Sequence, residues 1–270
     1  MATVDQKRFL SRVRLALGFS ANARRPWSEL MPEQNADRLQ ALVKNIALRS
    51  HAKRLELLDT LAQRCRQSNI GIHIGQWPDE SARQIAALVK SRCGNSEDVG
   101  EVILWQHPLL EGLHLTRRLS EEGANVILNM VDGSRAAPRG AVEERHRDRF
   151  RGKVFSARIG ITSVDYCLAD SATLVMTTRP GRPRLVSLVP PVHIAVISLG
   201  QILSDLQELY TMLADAAYRT GEGITNCMTF ISGPSTTRDI EAIPVPGAQG
   251  PRELHIVVNS ENPGNGPPGR

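Results

Sequence analysis

Hydrophobic residues recur along this chain with two different spacings, which alternate between about residues 55 and 130. Spacings of three and four residues predict helices over 5–17, 37–68, 80–92, 113–122 and 201–218, the second broken near residues 50–51. Short β-branched and apolar runs predict strands over 70–74, 102–105, 125–129, 228–231 and 254–259. Because helices and strands alternate, we predict an α/β fold with a mixed or mostly parallel sheet between helices.

The stretch from Arg158 to Leu199 has the strongest strand character in the sequence. Successive apolar or β-branched runs predict strands at Tyr166–Ala169, Thr173–Thr177, Leu185–Val189 and Ile194–Ile197. Turn-forming residues separate the four runs. Because polar groups are costly to bury without partners, the polar residues between the first two runs predict either a hydrogen-bonded turn or a site.

Polar segments divide the chain into three parts. We predict an N-terminal helix and linker over 1–36, one α/β domain over 37–260, and a disordered tail over 261–270 that is rich in Gly and Pro. The arginine-dense segment 132–153 predicts either a solvated helix or loop, or a lid over an anionic ligand, since guanidinium groups suit carboxylates and phosphates.

The composition is that of a soluble globular protein, since 41% of the 270 residues are hydrophobic and 23% are charged. No apolar run reaches the roughly 18 residues of a membrane-spanning helix, and the first residues lack the apolar core of a signal peptide, so a cytoplasmic location is expected. The net charge of +5 fits a small anionic ligand or an acidic partner. Nucleic-acid binding is not expected, because basic residues are spread out and aromatics make up only 4%.

The four cysteines, Cys65, Cys93, Cys167 and Cys227, stand alone in the sequence, and none lies in a C-x-x-C pair. This spacing argues against iron–sulfur or zinc ligation by this chain. We therefore expect reduced thiols that behave as small core residues, and neither a metal site nor a cofactor in this chain.

Two blocks of the sequence resemble the LUD-domain family of the lactate-utilisation protein C type. The first block contains Gly160-Ile161-Thr162, Ala169-Asp170-Ser171-Ala172-Thr173 and Pro191-Val192-His193-Ile194, and the second contains Ser232–Glu241 and Gly247–Leu254. The chain departs from the family pattern at four positions, where the family more often has glutamate, threonine, glycine and histidine in place of Asp170, Ser171, Ala172 and Gln249. Any mechanism that needs an imidazole at the last position therefore fails in this chain.

The resemblance implies both a fold and a function. The implied fold is a three-layer α/β/α sandwich, similar to the ribose-5-phosphate isomerase and CoA-transferase superfamily, with an N-terminal helical extension. The implied function is a component of L-lactate utilisation, in which L-lactate is oxidised to pyruvate together with iron–sulfur partner proteins. Two alternatives stay open: a stand-alone enzyme acting on a sugar phosphate or an acyl-CoA, and an assembly factor without a ligand. Whether the chain catalyses a step itself is left open.

The same blocks supply the candidate ligand-binding residues. Hydroxyl and acidic side chains at strand ends could bind a carboxylate or phosphate, since open α/β sheets bind ligands outside the carboxyl ends of their strands. The candidates are Asp170, Ser171, Thr173, His193, Gly233, Ser235, Thr237 and Asp239. We predict that Asp170 and Ser235 meet at one edge of the sheet around a small anion, with Asp170 as an orienting group, an acid or a base.

Each candidate also has a structural interpretation. Both turns could be hydrogen-bonded turns, and His193 could be a buried histidine with a structural partner. Neither Ser171 nor Ser235 has the glycines of a nucleophile elbow or a recognisable triad partner, so neither is expected to be a hydrolase nucleophile. The second turn lacks a Walker or dinucleotide-binding motif, so the sequence gives no support to an NTP or NAD site.

Overall fold

Two β-sheets form the centre of the computed structural model, which describes residues 4–16, 18, 20, 36–93, 101–128, 141–178, 182–220, 227–238 and 244–261. Its strands are β1 (Gly71–Gly75), β2 (Val102–Leu104), β3 (Val126–Leu128), β4 (Ile159–Ser163), β5 (Tyr166–Leu168), β6 (Thr173–Thr177), β7 (Val192–Ser198), β8 (Ile202–Leu203), β9 (Met228–Ile231), β10 (Thr236–Arg238), β11 (Pro244–Pro246) and β12 (Glu253–Asn259). Its helices are α1 (Val4–Ala16), α2 (Ala36–Ala47), α3 (His51–Gln67), α4 (Pro78–Cys93), α5 (Pro108–Gly112), α6 (Leu115–Glu121), α7 (Ala141–Ser156), α8 (Leu185–Leu188) and α9 (Leu206–Thr220). None of the helices in these ranges is long and apolar enough to cross a membrane.

The larger sheet has six strands in the order β1-β12-β7-β4-β2-β3, and every neighbouring pair is parallel. Its central strands β4 and β7 are almost continuously buried, as expected for parallel strands covered on both faces. The smaller sheet, β8-β5-β6-β9, is mixed, with β5 parallel to β8 and antiparallel to β6. The predicted α/β fold is confirmed, and its mixed strand pairing lies in this second sheet.

The smaller sheet begins where two central strands of the larger sheet end. β5 follows the carboxyl end of β4 after two residues, and β8 follows β7 through a 3-10 turn at Leu199–Gln201. The Gln201 side chain donates a hydrogen bond to the Val164 carbonyl and so ties the two connections together. The polar residues after β4 and β7 therefore lie between the two sheets at the carboxyl edge of the larger one.

The predicted strand at Leu185–Val189 is wrong, because these residues form the short helix α8. A run of five apolar or small residues has no periodicity that distinguishes a strand from one helical turn. Pro183 precedes the run and Pro190 follows it, and proline interrupts both kinds of element. Tertiary packing decides the outcome, since α8 lies against β4 and β7 and buries the side chain of Val186 completely.

Gly160 explains how closely α8 lies on the sheet. A Cβ atom on Gly160 would be 1.9 Å from the carbonyl oxygen of Val186 in α8. No side chain fits in that space, so the glycine of the Gly-Ile-Thr block has a packing role. His193 pairs with Gly160 in the register of β4 and β7 and therefore projects from the same face of the sheet.

Other predicted elements differ at their boundaries. The helix predicted over 113–122 is α6 at Leu115–Glu121, and a separate short helix that was not predicted, α5, precedes it; His114 between the two has a left-handed conformation with φ of 50°. The helix predicted over 201–218 begins later, at Leu206 in α9. The break predicted near residues 50–51 is confirmed, with Ser50 as the N-cap of α3. Residues 21–35 of the predicted linker, 132–140 of the arginine-dense segment and 262–270 of the predicted tail lie outside the described residues.

Candidate functional site

The two predicted turns lie side by side in the smaller sheet. β6 pairs with β9 in antiparallel register, with Leu174 opposite Ile231. Thr173 precedes Leu174 on β6, and Ser232 follows Ile231 on β9. Their hydroxyls are 2.8 Å apart and share a hydrogen bond. The structure therefore brings the two blocks together at this point, while a ligand shared by Asp170 and Ser235 stays a prediction.

The first turn combines two exposed side chains with a strained backbone. Asp170 and Ser171 are exposed, and the Asp170 amide donates to the Ser204 carbonyl at 3.1 Å. Ala172 has a φ of 50° and a completely buried side chain. The left-handed conformation costs a non-glycine residue on the order of 1–2 kcal/mol. The turn therefore keeps the conformation that favours glycine, although this chain has alanine there.

In the second turn, the Ser235 side chain holds a neighbouring loop. Its hydroxyl oxygen accepts a hydrogen bond from the Gln249 amide at 3.1 Å, and its own amide donates to the Pro251 carbonyl at 2.8 Å. Gly233 has a φ of 142°, and a Cβ atom there would be 3.5 Å from the Ser68 carbonyl. The Thr237 side chain and all of Asp239 lie outside the described residues. The described contacts of Ser235 are those of a residue that organises the loop.

His193 is fully buried under α8. Its Nε2 atom is 2.8 Å from the Thr162 hydroxyl, whereas Nδ1 is buried without a hydrogen-bond partner in the part of the chain that the structure describes. Burial lowers the pKa of His193 to about 3, because an imidazolium would be desolvated there. The ring is therefore neutral at physiological pH, which favours the structural interpretation of this histidine.

The order of the larger sheet identifies a topological switch point that lies away from the predicted site residues. From β2 the chain runs outward to β3, whereas from β4 it runs to β7 on the opposite side. Since β2 and β4 are neighbours, the connections diverge between them, and such a topological switch point is the usual place of a ligand crevice in open α/β sheets. The residues that follow the two strands are Trp105–His107 and Val164–Asp165.

Three side chains at this point, His107, Asp165 and Arg182, form what we call the switch-point cluster. One carboxylate oxygen of Asp165 accepts from the Thr177 amide at 2.6 Å and from its hydroxyl at 2.8 Å. The other carboxylate oxygen is 3.3 Å from an Nη atom of Arg182. The side chains of Asp165 and Arg182 are only 11% and 21% exposed, so their charges lie partly out of water.

His107 joins the cluster from the end of β2. Its Nδ1 atom accepts a hydrogen bond from the Leu109 amide at 3.2 Å and so caps α5. Burial lowers the pKa of His107, the Arg182 charge lowers it further, and the Asp165 charge partly opposes this. Sequence reasoning missed the cluster, although polar side chains that directly follow buried strands were a signal that could have indicated it.

A second polar cluster lies near the amino end of β12. His73 Nε2 is 3.3 Å from His255 Nδ1, and His255 Nε2 is 3.2 Å from the Glu253 carboxylate. Arg92 in α4 binds the same carboxylate at 2.6 Å. Burial lowers the pKa of His73, and the neighbouring His255 and Arg92 lower it further. These contacts connect α4 to the sheet at the edge opposite the switch point.

The four cysteines form no disulfide bond among themselves. Cys65, Cys93 and Cys167 are buried and Cys227 is half-buried. Burial raises the pKa of Cys65 to about 11 and raises that of Cys167 still further, so the thiolate form that binds metals is disfavoured in both. Among the described residues there is no group of three or more His, Cys, Asp or Glu side chains that could hold a metal ion.

Comparison with solved structures supports the fold. A solved DUF162 family protein from Deinococcus radiodurans superposes on this chain with a TM-score of 0.51 at 20% identity. The superposition covers 76% of this chain and 98% of the other. At this level of identity the similarity concerns the fold alone.

Comparison with sequences identifies the family. This chain is similar to proteins named lactate utilization protein C: it is 34% identical over 158 residues to that of Halalkalibacterium halodurans, and 28% identical over 203 residues to that of a Geobacillus strain. The first alignment covers 58% of this chain and 62% of the relative, and the second covers 75% and 78%. The sequence model of the LUD domain matches residues 34–258. The chain therefore belongs to the LUD-domain family.

Proposed function

We propose that this protein is a component of L-lactate utilisation that takes part, with iron–sulfur partner proteins, in the oxidation of L-lactate to pyruvate. The observation that carries the proposal is the match of the LUD domain over residues 34–258, together with relatives named lactate utilization protein C. A three-layer α/β/α arrangement similar to the ribose-5-phosphate isomerase and CoA-transferase superfamily is part of the proposal.

The chemistry of the cysteines supports different roles for this chain and for its proposed iron–sulfur partners. Oxidation of L-lactate to pyruvate releases two electrons and two protons, so an electron acceptor has to take part. Cys65, Cys93 and Cys167 are buried in the hydrophobic core, where burial raises the pKa of Cys65 and Cys167, whereas the four cysteines of an iron–sulfur site have to converge on the cluster as thiolates. We therefore assign the iron–sulfur clusters to the partner proteins, and to this chain the binding of a small anionic ligand, which its net charge of +5 favours.

A growth experiment tests the proposal. The gene is deleted from its natural host, and growth is measured with L-lactate as the sole carbon source and, as the control, with glucose. We expect the deletion to abolish growth on L-lactate alone, and a plasmid copy of the full chain to restore it. Undiminished growth of the deletion strain on L-lactate would refute the proposed role.

A second experiment tests the partners. The tagged full chain is purified from cells grown on L-lactate, and the copurifying proteins are identified by mass spectrometry. We expect proteins with clustered cysteines and the visible absorption of iron–sulfur centres, which should be missing when an unrelated tagged protein is purified in the same way. Recovery of this chain without such proteins would contradict the assignment of the clusters to partners.

A further inference from the structure

We propose that the switch-point cluster binds a small carboxylic acid with an oxygen on its second carbon, that is, a 2-hydroxy or 2-oxo acid. In this assignment the Arg182 guanidinium binds the carboxylate and His107 donates a hydrogen bond to the neighbouring oxygen. The inference deepens the proposed function and rests on it for the choice of L-lactate and pyruvate as probes.

The position of the cluster is the first argument. β2 and β4 are adjacent parallel strands whose connections leave in opposite directions, and the carboxyl ends of such strands are the usual place of a ligand site in open α/β sheets. His107 follows β2 and Asp165 follows β4, and thus both sides of this switch point carry a side chain that can hydrogen-bond. The Trp105 indole donates to the Pro183 carbonyl at 3.1 Å and holds the residue after Arg182 against the end of β2.

The second argument is the preorganised guanidinium of Arg182. Thr177 fixes one oxygen of Asp165 through two hydrogen bonds, so the other oxygen is held in a defined direction toward Arg182. A guanidinium has five N–H donors in a planar fork, and a contact with one carboxylate oxygen leaves it able to bind a second carboxylate. With its side chain only 21% exposed, Arg182 would form charge-assisted bonds that water screens less than at the surface.

The third argument is the tautomer of His107. Because Nδ1 accepts a hydrogen bond from the Leu109 amide, the hydrogen of the neutral ring lies on Nε2. The lowered pKa of His107 keeps the ring neutral near pH 7. A neutral donor beside a guanidinium matches an acid that presents an uncharged hydroxyl or carbonyl oxygen next to its carboxylate.

The chemistry of the predicted turn site points away from an anion. At the exposed first turn, the Asp170 carboxylate would repel an anionic ligand. In the second turn, the Ser235 hydroxyl already holds the Gln249 amide. In the switch-point cluster, by contrast, the charge of Asp165 is balanced by that of Arg182, and the ligand meets hydrogen-bond donors.

Binding to the purified full chain tests this assignment. Isothermal titration calorimetry is performed at pH 7 with L-lactate, pyruvate and propionate, which resembles both but lacks the second oxygen. We expect L-lactate or pyruvate to bind about tenfold or more tightly than propionate, since a hydrogen bond in a partly buried site contributes about that factor.

Three variants separate the roles of the residues. Arg182→Lys keeps a positive charge beside Asp165 but loses the planar fork, and should weaken binding of the preferred acid at least about tenfold. Arg184→Lys is the matched control, since the exposed Arg184 lies two residues away and contacts the Cys227 sulfur instead, and should leave the affinity unchanged. His107→Asn keeps a side chain that can cap α5 but loses the Nε2 donor, and should remove the preference over propionate.

Two results would overturn the assignment: absence of saturable binding of L-lactate and pyruvate by the natural chain, or equal affinities of the Arg182→Lys and Arg184→Lys variants. Circular dichroism and thermal unfolding verify that each variant is folded. The outcome is independent of the growth experiment. If the gene is needed for growth on L-lactate but the pure protein binds neither acid, only the proposed site is refuted. Binding by a protein that the cell does not need for growth on L-lactate would refute only the proposed function.

Discussion

The buried His193 makes a prediction about how stability depends on pH. Its pKa is lowered from 6.5 to about 3 in the folded protein, so the unfolded chain takes up a proton at a higher pH than the folded chain does. The contribution of neutral His193 to the free energy of unfolding is fully present above pH 6.5, and it is lost as the pH falls toward the pKa of about 3 in the folded state. Between pH 8 and pH 5, protonation of the unfolded state alone reduces the free energy of unfolding by about 2 kcal/mol.

The perturbation is His193→Gln, which can keep a hydrogen bond to Thr162 but cannot titrate in this range. The free energy of unfolding is measured by urea denaturation at pH 8, 7, 6 and 5 for the natural chain and the variant. We expect the free energy of unfolding to fall less between pH 8 and pH 5 in the variant than in the natural chain, by about 2 kcal/mol, whatever the stability of the variant at pH 8.

Two comparisons make the result decisive. The other histidines, including His73 and His107 with their lowered pKa values, are present in both proteins, so their contributions cancel in the comparison. His114→Asn is the control for removal of a histidine, since His114 is exposed and asparagine tolerates its left-handed conformation. Parallel pH profiles for the natural chain and His193→Gln would refute the conclusion that His193 is neutral because it is buried.

Three further substitutions test the packing that positions the candidate site. Gly160→Ala should reduce the free energy of unfolding by about 3 kcal/mol or more, because the new Cβ would collide with the Val186 carbonyl; urea denaturation that shows a loss below about 1 kcal/mol would contradict the close packing of α8. Ala172→Val should reduce the free energy of unfolding by about 2 kcal/mol or more in the same assay, because a β-branched residue is strained at a φ of 50°, whereas Ala172→Gly should change it by less than about 1 kcal/mol. Equal effects of the two substitutions would refute this backbone assignment. A double-mutant cycle with Thr173→Val and Ser232→Ala should give a coupling energy of about 0.5–1.5 kcal/mol, and a value near zero would show that the two turns are not joined by this hydrogen bond.

Much of the fold could be predicted from local patterns. The alternation of helical and β-branched segments indicated the α/β class, and the strand at Thr173–Thr177 was predicted with its observed bounds. The break between α2 and α3 was also predicted, because a residue that caps a helix acts within one turn of its own backbone. At Leu185–Val189 the local pattern was ambiguous, and contact with Gly160 and the neighbouring strands selected a helix.

For the candidate site, too, some features could be predicted from local patterns and others could not. By itself, the sequence determined the α/β class, the family resemblance and the two polar turns, because each of these depends on residues close together in the chain. Only the tertiary structure decided that Thr173 bonds to Ser232, and that His107 and Asp165 follow adjacent strands. The physical reason is that the order of strands in a sheet follows from the burial of whole faces against helices and against each other. No short stretch of sequence contains that information.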